Sequence, residues 1–66
     1  MNNKLDIIIE RWMNLDKSTD FRWSVWQGGT RVHMGGPHPS AQESEQEAVA
    51  FCRKSMQREP DRIERL

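Results

Sequence analysis

The sequence predicts a small α+β fold in the order helix, β-hairpin, helix. Three observations carry that expectation. Leu5, Ile8, Ile9, Trp12, Met13 and Leu15 recur at three- and four-residue spacings, the period of an amphipathic helix. Phe21 to Trp26 alternates instead and is rich in aromatic and β-branched residues, a strand pattern, and Gly28-Gly29 follows it. Ser40 and Glu43 form a Ser-x-x-Glu capping box ahead of a second apolar stripe.

The first helix is assigned to residues 1–15. Asn2 or Asn3 caps it, and Asp6 sits in the first turn, where the helix dipole favours negative charge. Ile7 points away from the apolar stripe and is expected to be exposed or in contact with a second chain. Asp16 to Asp20 is a polar connector. The hairpin covers residues 21–34. Its Gly-Gly loop suits a two-residue turn, which needs positive φ. Pairing across it sets Trp26 opposite Arg31, Val25 opposite Val32, Ser24 opposite His33 and Trp23 opposite Met34. One face then carries Trp23, Val25, Val32 and Met34. The other carries Arg22, Ser24, Trp26, Arg31 and His33.

Gly35 to Pro39 reads as a loop. The second helix spans residues 40–58, with Ala41, Ala48, Val49, Phe51, Cys52, Ser55 and Met56 in one arc, and Pro60 ends it. Residues 60–66 are expected as a short helical turn or a frayed tail. A lone hairpin keeps two open edges, so a homodimer completing a four-stranded antiparallel sheet is expected.

Composition narrows the function. At 66 residues the chain is one small domain with a marginal core and little material for a large substrate cleft. Ten basic residues against ten acidic ones give zero formal charge, which argues against a generic polyanion binder. No apolar run approaches the ~20 residues that span a bilayer, and no signal-peptide pattern opens the sequence. One cysteine excludes an internal disulfide and fits a reducing compartment, so a cytoplasmic location is expected.

No motif carries catalysis. Cys52 lies mid-helix on the apolar face, with no local cation or histidine to make it a thiolate. His33, His38 and Cys52 lack the close spacing of metal ligands, and neither Gly-Gly pair begins a phosphate loop. No cofactor or metal is expected, and the chain reads as a non-enzyme.

The element order resembles a shortened double-stranded RNA-binding domain, with Gly36-Pro37-His38 near its middle. That family opens its last helix with lysines, where this chain has Gln42-Glu43-Ser44-Glu45-Gln46-Glu47, and its third strand has no counterpart. The family is therefore not assigned. A hairpin followed by a capped helix, with Glu47-Ala48 at its apolar onset, is also similar to very small bacterial domains of antitoxin-like type. That likeness is one of fold only.

The expected function is that of a small protein-interaction or regulatory module, of the kind that serves phages and mobile elements as an inhibitor or accessory protein. A protein partner and a homodimer are expected, and a nucleic-acid-binding regulator is the alternative. The candidate partner-binding residues are Arg22, Trp26, Arg31, His33 and His38, because Trp and Arg dominate binding hot spots and also stack on exposed bases.

Overall fold

Three consecutive β-branched residues, Ile7-Ile8-Ile9, favour a strand for the first element, and pairing on both sides secures it. Their stiff side chains suit a pleated strand better than a helix. In the computed structural model, which describes residues 3–66, they lie in β1 (Leu5–Met13) rather than in a helix. The expected helix start at Met1 and Asn2 lies outside the described residues. Leu5, Ile7 and Ile9 alternate inward and are at most 1% exposed. Ile7, expected to point outward, is therefore central to the core.

Strand β2 (Thr19–Gln27) returns antiparallel to β1, from Met13 opposite Thr19 to Leu5 opposite Gln27. The turn between them is tightly tied. The Asn14 amide donates to Ser18 O at 2.8 Å, that of Lys17 donates to Asn14 O at 3.0 Å, and that of Ser18 donates to Asp16 Oδ1 at 2.9 Å.

Strand β3 (Thr30–His38) follows the Gly28-Gly29 turn, whose φ angles of 58° and 85° are the positive values the turn requires. Trp26 stands opposite Arg31 as expected, but the register then departs. Val25 faces His33, Ser24 faces Met34 and Trp23 faces Gly35, because a bulge at Val32 adds one residue to β3. The bulge moves His33 to the side of Trp23 and Val25, and moves Met34 to the side of Ser24. The expected loop from Gly35 continues the strand as far as His38, past a second irregularity where Gly36 adopts φ 105° beside a cis Gly36–Pro37 bond.

Helix α1 (Ala41–Phe51) begins where the capping box places it, with Ser40 Oγ accepting from the Glu43 amide at 3.2 Å. It runs on as a π-helical turn over Cys52–Met56 and stops at Gln57, in the left-handed region with φ 56°, before Pro60 is reached. Ser44, Ala48 and Cys52, one turn apart, are all buried. These small side chains let the helix lie close on the sheet, and Ser44 Oγ donates to Phe21 O at 2.7 Å. The core comprises Leu5, Ile7, Ile9, Trp23, Val25, Ala48 and Cys52.

Residues 62–65 form a strand, not a helical turn or a frayed tail. Strand β4 (Arg62–Arg65) pairs parallel with β1. Asp61 clamps its entry, accepting from the Leu5 amide through Oδ2 at 2.8 Å and donating its own amide to Leu5 O at 2.7 Å.

The sheet order is β3-β2-β1-β4. The architecture is thus a β-β-β-α-β mixed sheet with its helix on one face, not helix–hairpin–helix. The resemblance to an RNA-binding domain, which rested on that order, goes with it. The four-stranded sheet expected from a dimer forms inside one chain, with one parallel strand pair, and the helix makes the crossover that a parallel connection requires.

Candidate functional site

Alternation along the strands sorts every side chain to the helix side or the open side of the sheet. The open side is built in rows. Arg31, Trp26, Asp6 and Arg62 cross the sheet at one end, and Met34, Ser24, Ile8 and Glu64 form the next row. Arg22 with Glu10, then Asp20 with Trp12, complete the other end on β2 and β1 alone.

Two tryptophans stand at opposite ends of this face, each fixed by a polar neighbour. The Trp26 indole donates to Ser24 Oγ at 2.9 Å, which explains why a serine on the uncovered face is buried. Arg31 lies over the Trp26 ring, 6.0 Å from its centroid. Trp12 is 43% exposed, with the Arg22 guanidinium 4.5 Å from its centroid. Arg22 is aimed by Asp20 at 3.1 Å, and Asp20 is anchored by the Asn14 amide group at 2.9 Å. The hydrogen bond from Arg22, then that from Asn14, holds the Asp20 carboxyl below the usual range. Met34 and Val32 remain about half exposed on β3. The face thus carries a tryptophan at each end and Ile8 and Met34 between them, with charged side chains in every row.

Of the expected partner-binding residues, Arg22, Trp26 and Arg31 lie together on this face. His33 and His38 do not. His33 stacks on Phe51 of the helix, with ring centroids 4.2 Å apart and planes 8° from parallel. His38 Nε2 lies 2.7 Å from Glu47 Oε2 without hydrogen-bond alignment, and the same carboxylate accepts from the Trp23 indole at 3.0 Å. The bulge and the continued strand put both histidines on the helix side of the sheet, where His33 stays exposed at the edge and His38 is half-buried. Trp12, Ile8 and Met34 are members of the open face that sequence reasoning missed. A helical period claims the first two, and the shifted register hides the third. The Ile7-Ile8-Ile9 run is the signal that would have found Trp12 and Ile8.

The chemistry open to the helix side is limited. Cys52 is fully buried, and burial is the main cause that pushes its thiol up, so it is a poor nucleophile. No group of three or more His, Cys, Asp or Glu side chains among the described residues is placed to hold a metal ion. A shallow depression of about 260 Å³ along α1 is lined by Glu45, Gln46, Val49, Ala50 and Arg53. No helix among the described residues is long and apolar enough to cross a membrane. The chain matches no protein-family profile, no curated protein and no solved structure.

Proposed function

We propose that the chain is a small non-enzymatic interaction module that presents the open sheet face to another polypeptide. The observation that carries this reading is the pair of tryptophans held at opposite ends of that face around Ile8 and Met34. Side chains already fixed by Ser24, Arg22 and Asp20 lose little rotamer freedom on binding, and Trp and Arg are the usual anchors of protein interfaces. A regulatory, inhibitory or accessory role in the cytoplasm fits this design, with Cys52 shielded in the core.

Nucleic acid suits the face less well. Its arginines are largely answered by carboxylates: Arg22 by Asp20, and Arg62 by Asp6 and Glu64. A phosphate would have to displace or tolerate these anions, whereas binding energy for nucleic acid comes mainly from unopposed cations.

A photo-crosslinking amino acid at Met34 of the full chain, in living cells, tests the reading. Adducts sensitive to protease and resistant to nuclease are expected from Met34, with few from the exposed α1 position Gln46. Adducts from Gln46 alone would move the interface to the helix. Nuclease-sensitive adducts would favour the alternative.

A further inference from the structure

The last strand is attached more lightly than the other three. We propose that β4 is a latch: residues 61–66 leave β1 as one unit while β1, β2, β3 and α1 stay folded, and the opening bares the backbone edge of β1 from Leu5 to Ile9. The latch is independent of the open face as a binding surface, since both tryptophans, Ile8 and Met34 lie on the other three strands.

Apolar burial anchors β1 and β2 but not β4. Leu5, Ile7, Ile9, Trp23 and Val25 are at most 3% exposed, whereas Ile63 is 39% exposed and Leu66 71%. The other edge strand, β3, spans nine residues, is joined to β2 by a two-residue turn and stacks His33 on Phe51. By contrast β4 pairs over four residues with one neighbour, in the parallel pattern that is slightly the weaker per residue.

The side chains of β4 hold on mainly through charge. Arg65 Nη2 lies 3.1 Å from Glu45 Oε1 of α1, with both groups partly solvated. Arg62 Nε stands 3.8 Å from Asp6 Oδ1, too far for a hydrogen bond, and that oxygen is shut off from water without a hydrogen-bond partner among the described residues. Ion pairs of this kind contribute little to stability.

The firm contacts sit at the two ends. At the entry Asp61 bonds Leu5 twice, and Arg58 braces the same carboxylate at 2.7 Å. At the exit the Leu66 amide donates to Ile9 O at 2.9 Å. The ladder between them is too short to stand once the entry is released, so the segment opens together. Gln57, in the left-handed region with φ 56°, ends the helical turn ahead of Asp61, so β4 swings away without unwinding α1. Closed, the latch satisfies the β1 backbone groups that face it. Open, it leaves them unpaired along the Ile7-Ile8-Ile9 run, an edge able to take up an extended strand from another chain.

Native-state hydrogen exchange of the full chain tests the latch. In the wild type, the amides of Leu5, Asp61 and Leu66 are expected to share one opening equilibrium, at least ~100-fold more populated than the opening that exposes the β1–β2 ladder. Asp61→Ala removes the carboxylate at the entry. It should speed exchange at Leu66, the far end, by ~10-fold or more and leave the β1–β2 amides unchanged. Arg65→Ala should speed exchange at Leu5 from the other end by a smaller factor of ~2 to 5.

Exchange at Leu66 that ignores Asp61→Ala would mean that the two ends fray separately. Amides of Leu5, Asp61 and Leu66 that open only with the β1–β2 ladder, or a rise in Asp61→Ala that this ladder shares, would make β4 part of the global folding unit. Any of these results overturns the latch, and none of them bears on adducts from Met34.

Discussion

Replacing Ile7 with Ala is expected to destabilise the protein by about 2–5 kcal/mol, the usual cost of emptying a buried isoleucine site. Ile7 is fully buried, and it lies opposite Val25 on β2 and Ile63 on β4, at the centre of the sheet's helix side. A small domain has only about 5–15 kcal/mol of stability, with short chains at the low end, so this one change consumes much of it. The midpoint of urea unfolding by circular dichroism measures it. Were residues 3–15 a helix with Ile7 outward, the same change would cost about 0.5 kcal/mol or less.

Gly35→Ala is expected to cost about 3 kcal/mol, the upper end for overpacking a filled site. A Cβ there would stand 2.5 Å from Cζ2 and 2.6 Å from Cε2 of Trp23, well inside contact distance. The ring has little room to withdraw. It is 3% exposed, lies against both His33 and Phe51, and donates to Glu47 Oε1 at 3.0 Å. The effect is steric, so trimming the obstacle should relieve it. In a thermal-melt comparison, Gly35→Ala combined with Trp23→Phe should lose less than the sum of the two single variants. Strict additivity would mean that the glycine is needed for another reason.

The parts of the fold that are legible in the sequence are those set by local chemistry. The Ser40–Glu43 cap fixes where the helix begins, and Gly28-Gly29 fixes the hairpin turn and the pairing of Trp26 with Arg31. Strand β1 reads as a helix because Leu5, Ile8, Ile9 and Trp12 satisfy a helical period, while Leu5, Ile7 and Ile9 satisfy a strand period equally well. The choice is made by tertiary pairing with β2 and β4. The bulge at Val32 has no sequence signature of its own, yet it exchanges the faces of His33 and Met34 and so redraws the candidate site. Strand β4 is four residues long and mostly charged, and it becomes a strand only because Asp61 and β1 supply its partners. Arg22, Trp26 and Arg31 share one face as the sequence predicts, because Trp26 and Arg31 flank the turn before the register slips, and Arg22 follows the unbroken alternation of β2.

The three tryptophans give the most direct test of the central claim, that the open face is the surface that binds. Trp12 and Trp26 lie on it, while Trp23 is buried beneath the helix with its indole on Glu47. In nitrogen-15 spectra recorded as the polypeptide captured by crosslinking at Met34 is added, the indole resonances of Trp12 and Trp26 are expected to move together. That of Trp23 should hold its position. Movement of Trp23 alone, or of none of the three while the mass of the particle changes, would contradict the claim and place the interface on the helix side.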